Sequence, residues 1–263
     1  MRRAIAVAQT TPVRGDVLAN RTEHIRLLQL AAEEGAQAIV FPELSLTGYE
    51  LNLGPELAFS MDDERLQPLL AAAAQSSITT IVGAPVRVDS RLHIGAFVLS
   101  PTGEIALYTK QRMGAFSAAA ACDGIVPPAE AMFFTAGEHD PFIDHGGTPA
   151  AIAICADTGL ASHPQKAAQR GAKTYCASMF VIPSEFEREA GNLGRYAIEH
   201  EMVVAFANYG AATGGLASAG QSAIWSDKGE RLVQLAASGS GVAVAIETPA
   251  GWRAVRRMRQ HAA

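Results

Sequence analysis

Residues 150–157 read AAIAICAD, a short apolar run that closes on a cysteine and an aspartate. The length and apolar content of this run predict a buried strand over Ala150–Cys155. Because the cysteine ends the strand, its thiol is expected at the rim of a sheet. Asp157, two residues further on, would lie in the turn that follows.

Two other predicted strands are each followed by an ionisable residue. The apolar run Ala38–Phe41 leads through a proline to Glu43, and the run Ile105–Thr109 leads directly to Lys110. Ligands of α/β folds bind outside the carboxyl ends of strands. We therefore expect Glu43, Lys110 and Cys155 to meet at one rim of the sheets.

A carboxylate, an ammonium and a thiol together can hydrolyse an amide without a metal. A free thiol has a pKa near 8.5, so Glu43 would take the Cys155 proton during attack. Lys110 and the backbone N–H of Ala156 would hold the oxyanion, and such a donor contributes about 10²–10³ in rate. Taken singly, these residue types are more often a loop carboxylate, a surface charge and a packed thiol.

Strands alternate with helices through most of the chain, which predicts an α/β fold with sheets covered by helices. The Gly114–Pro128 segment has the least pattern and is predicted to be a long loop. A single domain is predicted over residues 1–250, with a solvated C-terminal tail at 251–263. The other predicted strands are Arg3–Gln9, Thr79–Val82, Leu92–Leu99, Thr174–Ser178, Val203–Asn208, Gln221–Trp225 and Val242–Ile246. The predicted helices are Asp16–Glu34, Leu66–Ala74, Pro164–Arg170 and Ser184–Glu201.

Composition narrows the class of protein. Of the 263 residues, 49% are hydrophobic and 18% charged, and the net charge is -5. This balance predicts a sizeable core, and it disfavours a nucleic-acid partner. We expect no signal peptide, no membrane span and a cytoplasmic location, where the three cysteines would stay reduced.

The sequence resembles the nitrilase (carbon–nitrogen hydrolase) superfamily over about Ala4 to Glu247. Glu43, Lys110 and Cys155 stand in the order of that family's three catalytic motifs. Glu130 matches a second family glutamate that hydrogen-bonds the lysine region. The segments that carry the resemblance are FPELSLTGY at 41–49, YTK at 108–110, IAICAD at 152–157, RYAIE at 195–199 and GQS at 220–222.

The resemblance implies a four-layer α-β-β-α sandwich, a Glu43–Lys110–Cys155 triad and at least a homodimer. It also implies that Glu130 orients Lys110. The substrate pocket would be lined by Tyr49, Met179 and Phe180, with no cofactor and no metal.

This sequence departs from the family pattern beside two of the three motifs. Ala156 replaces a common aromatic residue, and Thr158-Gly159-Leu160 replaces an Arg-Phe-Pro run. After Lys110, Arg112-Met113 replaces a common His-Leu pair. These changes leave the predicted chemistry in place and leave the identity of the substrate open.

The expected reaction is hydrolysis of a small amide to the acid and ammonia through a Cys155 thioester. An ω-amide of a keto-dicarboxylate is one expected substrate. The alternatives are hydrolysis of an N-carbamoyl amine or acid, and a non-catalytic binding protein with this fold. A metal amidohydrolase is disfavoured because no H-x-H or H-E-x-x-H motif occurs. Cys122 and Cys176 are interpreted as structural.

Overall fold

The computed structural model describes residues 3–117 and 127–259. Two sheets pack face to face. The first has seven strands in the order β13-β12-β1-β2-β3-β4-β5, and the second has six in the order β11-β10-β9-β8-β7-β6. The strands of the first sheet are β1 (Ala4–Gln9), β2 (Ala38–Val40), β3 (Thr79–Val88), β4 (Arg91–Leu99), β5 (Ile105–Thr109), β12 (Gly241–Thr248) and β13 (Gly251–Met258). Those of the second are β6 (Ile143–His145), β7 (Thr148–Ile154), β8 (Thr174–Ser178), β9 (Val203–Ala207), β10 (Ala223–Trp225) and β11 (Arg231–Gln234).

Helices cover the outer face of each sheet. The helices are α1 (Val17–Glu33), α2 (Gly54–Leu57), α3 (Gln67–Ser76), α4 (Ser162–Gln169) and α5 (Phe186–His200). As predicted, Asp16 caps α1, because its side chain accepts a hydrogen bond from the Ala19 N–H at 2.9 Å. Within residues 3–117 and 127–259, none of the helices combines the length and the apolar character that a membrane crossing requires.

Successive side chains of a strand point to opposite faces of the sheet, and the apolar side chains therefore fall into three separate cores. In β1, Ile5 and Val7 face the core between the two sheets. Ala4, Ala6 and Ala8 face the core under α1 and α3. A third core lies between the second sheet and the helices α4 and α5. This layering is the predicted α-β-β-α sandwich, in which the inner strands of each sheet, such as β1, β8 and β9, are buried on both faces.

The carboxyl ends of β2 and β7 lie at the same end of the sandwich. Within the first sheet, β1, β2 and β3 are parallel neighbours. In the second sheet, β7, β8 and β9 are likewise parallel. Loops that leave these strands therefore gather at one rim, as the sequence predicted.

The prediction that β3 stops at Val82 is wrong, because the strand runs on to Val88 and pairs with β4 throughout. Gly83 and Pro85 are residue types that commonly mark a turn, which is why the sequence predicts an end to the strand here. Gly83 instead marks the point where another backbone approaches the strand, and Pro85 uses its carbonyl to accept a hydrogen bond from the Phe59 N–H.

The predicted tail is wrong for residues 251–258, which form the edge strand β13, antiparallel to β12. Two of its three arginines, Arg253 and Arg257, have partners beside the end of α1. The Arg257 Nε atom donates to the Glu34 carboxylate at 2.7 Å, and Arg253 donates to the Glu34 carbonyl at the end of α1. A charged strand is a common way to protect a sheet edge, and charge alone had suggested a tail.

Candidate active site

Glu43 lies in a tight loop that leaves β2. Leu44 beside it has a φ of 53°, and a Cβ added at Gly83 would lie only 2.4 Å from the Leu44 nitrogen. The loop and β3 can approach this closely only because residue 83 is glycine. From the other side, the Tyr209 hydroxyl donates to the Glu43 carbonyl oxygen. The backbone of Glu43 is therefore fixed by both halves of the sandwich.

Lys110 is fully buried between two carboxylates. Its Nζ lies 2.5 Å from Glu43 Oε1 and 2.7 Å from Glu130 Oε1. Glu130 is itself held by the Tyr49 hydroxyl at 2.7 Å and by the Gly114 N–H at 2.6 Å. The structure thus brings together Glu43, Lys110 and Glu130 from three distant parts of the sequence. Because an ammonium has three N–H groups, Lys110 has one left to donate.

Cys155 begins a short 3₁₀ turn directly after β7, and its φ is 43°. This left-handed conformation is uncommon for a residue with a side chain. The residue is half-buried, and its Sγ lies 3.6 Å from the Phe180 carbonyl oxygen. Ala156 follows at the pocket wall, where its N–H is one of the donors at the start of the turn. Cys176 is fully buried in β8, and Cys122 lies outside the described residues.

Asp157 ties the turn of Cys155 to the loop of Lys110. Its Oδ1 accepts from the backbone N–H groups of Gln111 (3.1 Å) and Arg112 (2.8 Å). Its Oδ2 accepts from the Ile154 N–H (3.0 Å) and the Tyr108 hydroxyl (2.8 Å). One buried carboxylate therefore sets the position of the proposed nucleophile relative to the lysine.

A chain of hydrogen bonds continues outward from Asp157. Tyr108 donates to Asp157, so it accepts from His163 Nε2 at 2.9 Å. His163 Nδ1 then accepts from the Tyr175 hydroxyl at 2.9 Å. The direction of each bond follows from the carboxylate, which only accepts, and it fixes His163 as the Nε2–H tautomer. Burial lowers the pKa of His163, which favours the neutral ring that this chain requires.

Burial governs the pKa values at the centre of the site. It raises the pKa of Glu43 to about 8, with Lys110 opposing and Glu130 adding to the rise. Burial would raise the pKa of Glu130 too, but Lys110 and the Gly114 N–H outweigh it and hold that pKa below its ordinary value. Burial opposes the charge on Lys110, yet the two carboxylates keep its pKa above the ordinary range.

Burial also raises the pKa of Cys155 well above its ordinary value. The Glu43 charge adds to this effect, while the Lys110 charge opposes it. Cys155 is therefore a neutral thiol at rest, and it needs a base to take its proton when it reacts. Glu43 Oε2 is buried without a hydrogen-bond partner in the described part of the chain, so this oxygen has a free acceptor position.

A pocket of about 440 Å³ opens onto Cys155 and Ala156. The predicted substrate-binding residues Tyr49, Met179 and Phe180 all line it. Tyr49 and Phe180 pack together with their ring centroids 4.8 Å apart. Met179 contributes less, because its side chain belongs to the core under α4 and α5. The remaining lining residues include Arg112, Met113, Phe116, Glu185, Arg188, Glu189 and Asn192.

A second cavity, of about 430 Å³, is lined by Thr148 and Lys173. Thr148 begins β7, whereas Cys155 follows the end of that strand, so this cavity lies at the opposite end of the sheet. It contains none of the three proposed catalytic residues. Among residues 3–117 and 127–259, no group of three or more His, Cys, Asp or Glu side chains is arranged to hold a metal ion.

Sequence reasoning missed three features of the site. Asp157 was noted as part of a motif, but its four hydrogen bonds were not foreseen. Tyr209 carried no signal, since it lies far along the chain from Glu43. In the sequence, Arg112 stands out only as a departure from the family pattern, although it lines the pocket. The long loop predicted at Gly114–Pro128 lies partly outside the described residues.

Solved structures share this fold. The chain is 24% identical to an amidase from Nesterenkonia sp. AN1, with a TM-score of 0.79 over 92% of this chain and 89% of that one. In that structure, the acetamide moiety of fluoroacetamide is covalently added at the active-site cysteine. A cysteine-to-alanine mutant of the same amidase, in complex with butyramide, matches at 24% identity with a TM-score of 0.80, covering 94% of this chain and 91% of that one.

Sequence comparison gives a partial relative and a family. Over 115 residues the chain is 34% identical to an arylacetonitrilase from Aspergillus niger, which covers 39% of this chain. The match spans only about a third (34%) of that relative's length. The family model for carbon-nitrogen hydrolases matches residues 4–257. The resemblance to this family is thereby confirmed, and this chain belongs to the carbon–nitrogen hydrolases.

Proposed function

We propose that this protein is a thiol-dependent hydrolase that cleaves the C–N bond of a small amide, with Glu43, Lys110 and Cys155 as its catalytic triad. One observation carries the proposal: the buried Lys110 Nζ bridges Glu43 and Glu130 at the base of a pocket onto which Cys155 opens. A buried charge is costly unless it is paired, so such an arrangement is more typical of an active site than of a packed core.

In the proposed mechanism, the Cys155 thiol gives its proton to Glu43 Oε2 as the sulfur attacks the amide carbonyl carbon. The third N–H of Lys110 and the N–H of Ala156 stabilise the oxyanion. Glu43 then protonates the departing ammonia, and a thioester remains. Water, deprotonated by Glu43, attacks the thioester and releases the acid, which restores the thiol. A Glu43 pKa near 8 suits a group that must both accept and return a proton near neutral pH.

The substrate is proposed to be a short linear amide. The pocket of about 440 Å³ and its aromatic wall suit a small molecule. Mutants of the amidase of similar fold carry the acetamide moiety of fluoroacetamide on the active-site cysteine and bind butyramide. Nitrile hydrolysis is the second candidate, favoured by the partial match to an arylacetonitrilase. The N-carbamoyl alternative and the binding-protein alternative enter the test as competing outcomes.

The test is ammonia release from a panel of short amides, nitriles and N-carbamoyl compounds. We expect turnover of amides, a thioester detected by mass spectrometry after rapid quenching, and loss of both in Cys155→Ala. Cys176→Ala is the matched control, because burial raises the pKa of Cys176 to about 12 and keeps it unreactive. Full turnover by Cys155→Ala would overturn the assignment. A binding protein without this chemistry would be favoured if no compound of the panel were turned over and none protected Cys155 from iodoacetamide.

We also propose a homodimer or higher homo-oligomer in the cytoplasm. Leu160, just before α4, and Ile198, in α5, expose 42% and 59% of their surface, which supports contact through this face. Cys155 and Cys176 are free thiols, which suits a reducing compartment. Light scattering that gives only a 27.6 kDa monomer would contradict the dimer.

A further inference from the structure

Arg112 lines the same pocket as Cys155, two residues after Lys110. Its backbone N–H donates to Asp157 Oδ1 at 2.8 Å, so the start of the side chain is fixed relative to the catalytic turn. The side chain is exposed, and one terminal guanidinium nitrogen would lie 3.6 Å from a Cβ placed on Gly159. The guanidinium group therefore lies alongside the turn that begins at Cys155, on the solvent side of the pocket.

The other cations of the pocket are already paired. Lys110 is enclosed by Glu43 and Glu130. Arg188 contacts Glu189 at 3.0 Å and Glu185 at 3.4 Å. Arg112 forms no ion pair within residues 3–117 and 127–259, so it is the pocket cation with capacity for a ligand. Its planar fork matches a carboxylate with two parallel hydrogen bonds.

From this arrangement we infer that Arg112 is a specificity-determining residue, and that the substrate is a short amide bearing a carboxylate at the end remote from the C–N bond. The inference rests on the proposed amide hydrolysis and adds the chemical class of the substrate. Glu185 and Glu189 share the pocket wall, so a single carboxylate directed at Arg112 fits the local charges better than a dianion.

Two substrates of the same shape test this inference. Succinamate and 4-methylpentanamide share the amide and the two-carbon spacer, and they differ in a carboxylate against an isopropyl group. We expect the wild-type kcat/KM for succinamate to exceed that for 4-methylpentanamide at least tenfold. A tenfold ratio corresponds to the free energy of one charge-assisted hydrogen-bonded pair at an exposed arginine. In Arg112→Met this ratio should fall at least tenfold, mainly through KM, and Arg112→Lys should retain part of it.

Arg91→Met is the matched control, because Arg91 is exposed and lies outside the pocket, and its ratio should stay within about threefold of wild type. Arg112→Met should keep the wild-type unfolding midpoint in urea, because the Arg112 side chain is exposed. Equal kcat/KM for the two amides in wild type, or a ratio unchanged by Arg112→Met, would overturn the role of Arg112 and leave amide hydrolysis standing.

If neither amide is hydrolysed, the proposed function fails separately, and calorimetric binding of succinate then decides. Succinate bound by wild type but not by Arg112→Met would support the anion site. Equal binding by both proteins would refute it.

Discussion

Replacing Asp157 by asparagine changes one atom and tests the link between the cysteine turn and the lysine loop. The carboxylate accepts four hydrogen bonds, two on each oxygen. An asparagine that keeps its oxygen toward Gln111 and Arg112 turns its NH₂ group toward the Ile154 N–H and the Tyr108 hydroxyl. The opposite orientation faces the NH₂ group with two backbone donors. In the first orientation the Ile154 N–H loses its acceptor, whereas the Tyr108 hydroxyl can accept from the NH₂ group and donate to His163 instead. In the second, the part-buried N–H groups of Gln111 and Arg112 lose theirs.

An unsatisfied buried donor costs about 1–3 kcal/mol, so Asp157→Asn should lower the free energy of unfolding by about 1–3 kcal/mol. That is a large share of the roughly 5–15 kcal/mol that stabilises a typical domain. Misplacement of the Cys155 sulfur relative to Lys110 should also lower kcat at least about a hundredfold. The measurements are urea unfolding followed by circular dichroism, and ammonia release under saturating amide.

Asp144→Asn provides the control for the chemical change. Asp144 is exposed and accepts one hydrogen bond, from the Gly147 N–H at 2.8 Å. We expect this variant to change the free energy of unfolding by less than about 1 kcal/mol. If Asp157→Asn unfolds within about 1 kcal/mol of wild type and retains a third of its kcat, the linking role of Asp157 is wrong.

Two further predictions use the shifted pKa values. Since Glu43 must be ionised to accept the thiol proton, kcat/KM should rise with pH through about 8. Glu130→Gln removes a nearby negative charge, so this rise in the pH profile should move to lower pH. A rise that stays in place or moves to higher pH would contradict the assignment of Glu43 as the base. Burial lowers the pKa of His24 from 6.5 to about 4, so its contribution to stability is present above pH 6.5 and is lost as the pH falls toward 4. At pH 5 this loss is about 2 kcal/mol. In urea unfolding, His24→Gln should remove that part of the acid destabilisation, whereas His139→Gln, at an exposed residue, should keep it. An identical pH dependence of stability in wild type and both variants would contradict the role of His24.

The sequence predicted the rim where the candidate catalytic residues lie, because local rules hold there. Apolar runs of strand length end at Glu43, Lys110 and Cys155, and parallel strands bring their carboxyl ends to one edge. The resemblance added Glu130, and the structure brings its carboxylate to 2.7 Å from Lys110 Nζ. Pairings between residues far apart in the chain, such as Tyr209 with the Glu43 carbonyl, leave no periodicity to detect.

Two predictions made from local sequence rules were wrong. Glycine and proline, here at positions 83 and 85, commonly end a strand. In this fold, tertiary contacts override that preference and β3 continues through both residues. The run of arginines in β13 is typical of a solvated chain terminus, so the sequence predicted a tail there. Their partner Glu34 ends α1, and only the folded structure brings these charges together.

The left-handed backbone at Cys155 has a consequence for how this protein can evolve. A residue with a Cβ pays on the order of 1 kcal/mol or more to hold that conformation, whereas glycine adopts it freely. Selection for stability alone would therefore favour glycine at this position, and only selection for the proposed chemistry would retain the thiol.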